Sequence, residues 1–478
     1  MVTRALLLLR EAPPWTLAGA AAAVALLWLV ASTLEWAWWS PRRLDRALRA
    51  QGLKGTRYSL FTGDLRENAR LNREARAKPL PLRCHDIIPR VLPMLHKAVN
   101  ENGCSPTYGV HNSNAGTVSF TWFGPTPRVM IPDPESVREV LSNKFGHFGK
   151  QQFSRASKLL GNGLANHEGE KWAKHRRILN PAFHHEKIKG QVVEIKNSRV
   201  CSVVTLLNIC RFLPTKNNRR MREINRKIHK ILREIIGKRE KAIKNGETNN
   251  DDLLGLLLES NMRQSNGNAK LGLTTEDVIE ECKLFYFAGM ETTSVLLTWT
   301  LILLSMHPEW QERARQEVLT HFGRSRPDFD SLSRLKIVTM ILYEVLRLYP
   351  PVVLLSRRTY KEMELGGIKY PAGVSLLLPI VFIHHDPNIW GKDASNFNPE
   401  RFVDGISNAA KHQAAFLPFG GGPRICIGQN FALLEAKMAL CTILQRFSFE
   451  LSPSYTHAPY TVITLHPQHG AQIRLKKL

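Results

Sequence analysis

A loop built around one cysteine is the most informative feature of the sequence. The segment FLPFGGGPRICIGQNFA places Phe419, Gly422, Arg424, Cys426 and Gly428 at fixed offsets just before an apolar helical stretch. Consecutive glycines allow backbone conformations closed to other residues and a close approach to a flat ligand. A helix N-terminus favours a thiolate, and a thiolate is the form of cysteine that ligates iron. A lone cysteine is more often an inert core residue, but the surrounding pattern favours a metal-ligating role for Cys426.

A second group of chemically capable residues lies in a long apolar stretch. Residues 274–308 begin with a threonine cap and acidic residues and are largely apolar on all sides beyond Cys282. This pattern predicts a helix in the centre of a large domain. Gly289 thins that helix and favours a local kink, while Glu291 and Thr292 supply a carboxylate and a hydroxyl for proton transfer. The alternative, a chance surface glutamate beside a neutral threonine, fits so apolar a helix less well.

The cysteine loop resembles the haem-binding signature of the cytochromes P450, and FGGGPRICIG matches that signature completely. The resemblance implies haem b as cofactor, with Cys426 as the axial ligand whose sulfur pushes electron density toward O–O cleavage. It also implies that Phe419 shields the sulfur, that Gly428 belongs to the cofactor-binding set, and that Glu291 and Thr292 relay protons.

Other segments match the same family and assign further residues. Trp172 and Arg176 match its W-x-x-x-R helix, and these two residues are expected to bind the haem propionates together with Arg358 and Arg424, since a guanidinium group suits a carboxylate. The adjacent histidines 384 and 385 cannot easily face one metal ion, and we interpret both as structural.

A glutamate and two arginines form the last expected group. Glu344 and Arg347 in YEVLRLYPP lie three residues apart and share a helix face, a spacing that on its own usually indicates a surface ion pair. FNPERF supplies Arg401. The resemblance implies that the three residues form a structural triad behind the thiolate loop, with a role in folding and none in catalysis.

The first forty residues predict a membrane anchor. The run from Trp15 to Leu34 carries no charge and has about the 20 residues that a helix needs to cross a bilayer. Tryptophans and then arginines follow it, which places the catalytic domain in the cytosol. A cleaved signal peptide is the alternative, but the run is long for one and no A-x-A site precedes the tryptophans. By resemblance, this anchor makes a single pass through the endoplasmic reticulum membrane.

The remaining chain, residues 41–478, predicts one mainly α (α+β) domain, helix-rich with a smaller β-rich subdomain. Helices are expected at 133–143, 169–183 (stopped by Pro181), 217–244, 308–322, 336–348 and 427–447, with a β-hairpin turning at Gly366 and Gly367.

Charge and cysteine content restrict the partners and the compartment. The net charge of +25 is compatible with nucleic acid, an anionic membrane, an acidic protein or simply a solvated basic surface. No zinc pattern or RNA-binding signature accompanies it, so we favour membrane and protein partners and no nucleic acid. The seven cysteines are scattered without a C-x-x-C pair, which indicates a reducing compartment.

The family resemblance is closest to the plant clan that includes secologanin synthase, through FLPTKNNRRMREIN, AGMETT and HHDP. It implies insertion of one atom of O2 into a lipophilic terpenoid, gibberellin-like molecule or xenobiotic, with electrons from NADPH through NADPH-cytochrome P450 reductase. Two departures stand out: a polar insert at 104–118, and an apparently missing helical block near 190–212. A haem-thiolate isomerase or dehydratase and a non-catalytic truncated variant are the alternative functions.

Overall fold

The computed structural model describes residues 13–101, 118–143, 146–150, 161–183, 216–246, 252–265 and 272–478. Most of the polar insert at 104–118 and all of the region near 190–212 lie outside these residues, as does part of the loop 147–166. The described chain is mainly helical with small sheets, as predicted.

The N-terminal helix α1, Pro14–Leu34, is apolar and exposed along its length. Two stretches, Ala18–Ala50 and Thr275–Met306, are long and apolar enough to cross a membrane. The first has nothing packed over its apolar window, whereas 44% of the corresponding window of the second is buried. The first therefore has the character of a membrane anchor, and the second is a core helix.

The helices of the soluble part follow in chain order. They are α2 Ser40–Ala50, α3 Leu65–Ala77, α4 Ile88–Val91, α5 Pro93–Glu101, α6 Pro134–Ser142, α7 Gly169–Leu179, α8 Lys216–Lys244, α9 Leu253–Ser265, α10 Thr275–Met306, α11 Pro308–Phe322, α12 Phe329–Leu332, α13 Lys336–Leu348, α14 Ile380–His385, α15 Pro387–Trp390 and α16 Gln429–Leu444. A 3-10 turn, Asn180–Phe183, follows α7 at the predicted proline stop.

Helix α10 is the centre of the domain. It begins with a capping box, in which the Thr274 side chain accepts from the backbone N–H of Asp277 and the Asp277 side chain accepts from that of Thr274. Its C-terminal half packs against α13 and α16, and Trp299 and Leu303 are fully buried there. The capping box and the apolar surroundings explain why 32 residues form one helix. The helix is continuous through Gly289.

The strands lie in one larger sheet and three small ones. The strands are β1 Lys54–Gly55, β2 Ser119–Phe123, β3 Thr126–Met130, β4 Phe148–Gly149, β5 Leu355–Thr359, β6 Met363–Leu365, β7 Ile368–Tyr370, β8 Ser375–Leu378, β9 Phe447–Leu451, β10 Pro459–Thr461, β11 Leu465–Pro467 and β12 Ile473–Lys477. The six-stranded sheet has the order β1-β2-β3-β8-β5-β4, and the other pairs are β6-β7, β9-β12 and β10-β11. The predicted hairpin is β6-β7, whose two turn glycines have φ of 57° and 77°.

Candidate active site

The thiolate loop, FLPFGGGPRICIG at residues 416–428, depends on Gly422 more than on the two glycines that precede it. Gly422 has φ of 66°, and a Cβ there would overlap the carbonyl oxygen of Leu141 in α6. Gly420 also has a positive φ, 73°, but a Cβ there would meet only the end of the Leu355 side chain at 3.7 Å. Gly422 is therefore required both by its conformation and by the close approach of α6.

Backbone hydrogen bonds then hold the cysteine at the end of the loop. The N–H of Cys426 donates to the carbonyl oxygen of Phe419 at 3.0 Å, and the N–H of Ile425 donates to that of Gly422 at 3.0 Å. Gly428 is the N-cap residue of α16. Phe419 is half-buried and packs against the main core. The loop thus fixes the cysteine relative to a long helix.

The protonation of Cys426 differs from the expectation. Cys426 faces solvent in part, yet desolvation by the surrounding protein raises the pKa of its thiol above the ordinary value. The backbone N–H of Gly428 and the Arg176 guanidinium both lower that pKa, but to a smaller extent. The position before the helix therefore does not by itself produce a thiolate. A metal ion deprotonates a coordinating thiol outright, so a metal ligand at this position would favour the thiolate.

A group of cations surrounds this loop. Arg424 donates to the carbonyl oxygen of His167 at 2.8 Å, pairs with Glu168 at 2.7 Å and lies 4.6 Å from the centre of the Trp172 ring. Arg176, one turn further along α7, donates to the carbonyl oxygen of Ile425 at 2.9 Å. Trp172, Arg176 and Arg424 are therefore brought together at the loop.

Two more cations, Lys150 and Arg357, belong to the same group. Burial, together with the positive charges of Arg357 and Arg424, lowers the pKa of Lys150 to about 8. Burial and Arg424 likewise lower the pKa of Arg357. The carboxylate of Glu168 acts in the opposite direction on both. Four cations around one carboxylate leave an excess of positive charge, which fits a ligand with two carboxylates such as haem.

Arg358 does not lie in this group. Strand β5 alternates, so Arg357 is buried while Arg358 is exposed on the opposite side. Arg358 was the arginine expected at the propionates, and in the structure it is its neighbour Arg357 that lies with Lys150 and Arg424. Side chains alternate between the two faces of a strand, so the sequence SRRT already indicated that the two arginines face opposite sides. Lys150, also absent from the expected set, carried no sequence signal that we recognise.

The expected triad lies in the core behind the loop. Arg347 binds Glu344 through two hydrogen bonds of 2.7 and 2.8 Å, and neither side chain is exposed to solvent. Arg401 lies 3.6 Å from Glu344 and makes its closer pair, 2.7 Å, with Asp393. Arg347 also donates to the carbonyl oxygens of His384, Ala394 and Asn396. The group therefore joins α13 to the segments that precede the thiolate loop.

The two adjacent histidines are buried and bind backbone groups. His384 contacts the carbonyl oxygen of Arg347 at 3.2 Å and accepts from the N–H of Leu417 at 3.0 Å. His385 contacts the carbonyl oxygen of Leu348 at 2.9 Å. Burial lowers the pKa of each to about 3. His384 therefore connects the triad to the start of the thiolate loop.

On α10, the expected proton-transfer residues have well-defined partners. Thr292 donates its hydroxyl to the carbonyl oxygen of Ala288 at 2.6 Å. Glu291 accepts from Thr464 at 2.7 Å and contacts Nε2 of His466 at 2.8 Å. Among the described residues, no atom other than those of its neighbours in α10 lies within 4 Å of a Cβ built at Gly289. Thr464 and His466, which the motifs did not indicate, belong to the C-terminal strands.

Comparison with known proteins agrees with this geometry. A sequence model of the cytochrome P450 family matches residues 89–207 and 186–470. The chain is 51% identical to cytochrome P450 CYP72A616 of Paris polyphylla over 518 residues, covering 95% of this chain and 98% of that protein. It is 48% identical to cytochrome P450 72A397 of Kalopanax septemlobus (93% and 95% covered) and 44% identical to secologanin synthase 1 of Catharanthus roseus (93% and 94%).

The chain therefore belongs to the cytochrome P450 family. Its cofactor is haem, and its activity is that of a monooxygenase acting on small molecules. Its similar relatives include members of the CYP72A group and a secologanin synthase, which confirms the resemblance seen in the motifs.

Proposed function

We propose that this protein inserts one atom of O2 into a lipophilic terpenoid, gibberellin-like molecule or xenobiotic. The observation that carries the proposal is the pairing of a constrained Cys426 loop with a cluster of buried cations. When bound, haem would supply the oxygen-activating chemistry. The substrate class rests on relatives such as secologanin synthase 1 and on the largely apolar α10.

In this proposal Cys426 ligates the iron, with Phe419 and Gly428 placing the sulfur. The haem propionates are held by four cations, Arg176, Arg424, Arg357 and Lys150. Pairing with the propionates replaces the repulsion among these cations. Trp172 supports the Arg424 guanidinium through its ring face. Arg358, which is exposed, has no part in this assignment.

Glu291 and Thr292, both on α10, would move protons within the site. Glu291 is largely buried, while its partner His466 is about one third exposed, at 32%. An imidazole can both accept and donate a proton near neutral pH. We propose that His466 passes protons from water to Glu291 and that Thr464 holds the carboxylate in place.

The electron donor in this proposal is NADPH, through NADPH-cytochrome P450 reductase in the endoplasmic reticulum membrane. The apolar and exposed α1 supports anchoring by a single pass, with the arginines of α2 on the cytosolic side. The net charge of +25 supports docking of an acidic partner surface. An anchor common to both proteins would keep them on one membrane.

We further propose that residues 41–478 form one domain that lacks a helical block near 190–212. The alignment with the Paris polyphylla protein runs over 518 residues, more than the 478 of this chain, so that protein has residues with no counterpart here. This difference favours the truncated, non-catalytic variant as the second candidate function. The isomerase or dehydratase alternative has less support, because such chemistry needs no Glu291 and Thr292.

The deciding experiment is a reduced carbon-monoxide difference spectrum of the full chain in microsomes. We expect a red-shifted Soret band that disappears in Cys426→Ala and persists in Cys84→Ala, the half-buried control. Consumption of NADPH with added reductase then tests the electron donor. Protein present without any haem band in the wild-type chain would refute the monooxygenase proposal and support the truncated variant.

A further inference from the structure

A cluster of three buried ligand-type side chains lies away from the thiol. His167 precedes α7, His175 lies on α7, and Glu281 comes from the first half of α10. Their relative exposures are 7%, 1% and 0%. One potential ligand atom from each lies within 4.8 Å of those of the other two. The cluster therefore joins α7, which carries Trp172 and Arg176, to the central helix.

Two atoms of this cluster are buried without a hydrogen-bond partner. They are Nε2 of His167 and Oε2 of Glu281. The other carboxylate oxygen of Glu281 contacts Nδ1 of His175 at 2.6 Å. A buried polar atom without a partner costs about 1–3 kcal/mol, and more when it is charged. Two such atoms in one cluster indicate a ligand that satisfies both.

The charges and the packing favour a cation as that ligand. Glu281 is ionisable and wholly buried, and Asp277 lies 3.8 Å from Nε2 of His175. The Lys171 ammonium lies 3.0 Å from Asp277 and offsets part of this negative charge. The positive charge of Arg424 also acts on the His167 ring. A Cβ at Gly163 would overlap the Glu281 carboxylate, so this glycine leaves room for it.

We propose that His167, His175 and Glu281 bind a divalent transition-metal ion of the zinc type, separate from the haem. Two imidazoles and one carboxylate form a zinc ligand set of the three-ligand kind, with the fourth position open to water. The ion clamps the start of α7 to α10. The same two helices carry Arg176 and Glu291, so the clamp also fixes the spacing between the two sides of the haem site.

A second cluster, His229, Glu276 and Glu280, carries no such inference. Glu280 already binds Lys283 and the backbone N–H of Asn162, and Glu276 is exposed. Both carboxylates thus have ordinary partners or water.

The test is a metal count on the holoenzyme purified in detergent with an affinity tag that contains no histidine. The protein is incubated with zinc sulfate, passed through a sizing column in a weak chelator, and its zinc and iron are measured by mass spectrometry. We expect about one zinc per iron in the wild-type protein and in the control His469→Ala, an exposed histidine. We expect at least a tenfold lower ratio in His167→Ala and in Glu281→Gln.

Iron in the same samples reports whether each variant still folds around haem. If a variant loses its iron, X-ray absorption at the zinc edge of the wild-type protein decides instead, with two imidazole nitrogens expected at about 2.0 Å. A wild-type protein without zinc would overturn the proposal. A buried water would then be the partner of Nε2 of His167 and Oε2 of Glu281. Equal zinc in the wild type and in both folded variants would overturn it as well.

Discussion

The Glu344 and Arg347 pair offers the sharpest test of how the core is held together. Both side chains are wholly buried, and Glu344→Gln keeps the size of the side chain while it leaves the Arg347 charge without its partner. Removing one member of a buried ion pair costs about 3–5 kcal/mol. A typical domain has a net stability of about 5–15 kcal/mol, so the loss is a large part of the total.

The matched control is the exposed pair of Arg313 and Glu400, whose atoms are also 2.7 Å apart. These side chains are 44% and 47% exposed, and an exposed pair contributes about 0–1 kcal/mol. Glu400→Gln should therefore be nearly neutral. The two substitutions make the same chemical change at the same separation, and they differ in burial and in the further contacts of Glu344 with Arg401 and with the backbone N–H of Asn398.

The measurement is the temperature at which half of the carbon-monoxide band is lost on heating in microsomes. From about 2–4 °C per kcal/mol, we expect Glu344→Gln to lower that temperature by roughly 6–20 °C and Glu400→Gln to leave it within about 4 °C. Equal effects of the two substitutions would refute the argument from burial.

A double substitution separates the charge from the other contacts of Arg347. Replacing both members of a buried pair by apolar residues is often neutral. Here, however, Arg347 also donates to three backbone carbonyl oxygens, which would lose their partner. We therefore expect Glu344→Leu with Arg347→Met to remain unstable, and full recovery would show that those carbonyl contacts contribute little.

Four further predictions follow from the site. Arg357→Leu should lower haem retention about tenfold or more, while Arg358→Leu, the matched control, should leave it unchanged. The measurement is the amount of haem per protein after dilution, and equal retention in the two variants would contradict the assignment of Arg357. Gly422→Ala should abolish the carbon-monoxide band, whereas Gly420→Ala, with a positive φ but more space, should keep part of it. His466→Ala should raise peroxide release per NADPH several-fold over His469→Ala, because Glu291 loses its route to water; unchanged coupling would exclude that route. Burial lowers the pKa of His85 to about 3. The protein should therefore lose stability as the pH falls below about 6.5, by up to 1.4 kcal/mol per pH unit for this histidine. A melting series with His85→Gln should show a weaker dependence of stability on pH.

Much of the site could be predicted because local motifs carry it. The hydrogen bonds of the Cys426 loop and the cap at Thr274 act through nearby backbone, so their spacing in the chain is enough, whereas the contact of Gly422 with Leu141 comes from a distant segment. Helix bounds followed in the same way from caps and prolines. The fold class was confirmed because the apolar periods of the long helices are unambiguous.

Residues that meet from distant segments were harder to predict. Lys150 and Arg357 join Arg424 only through the arrangement of loops and sheet, and His466 reaches Glu291 from the C-terminal hairpin. The choice between Arg357 and Arg358 depended on which side of β5 faces inward, and the family motif did not decide it. The pKa of Cys426 went opposite to the expectation because desolvation outweighed the backbone N–H of Gly428.

The crowding of positive charge around the thiolate loop ties the abundance of the protein to the supply of its cofactor. Lys150, Arg176, Arg357 and Arg424 repel one another while no dianion lies between them. A ligand that binds only the native state stabilises it by RT ln(1 + [L]/Kd), about 2.7 kcal/mol at a hundredfold excess over Kd. Chains made while haem is scarce would then unfold more often and be degraded sooner. The cellular level of this protein should accordingly follow haem synthesis even at constant messenger RNA.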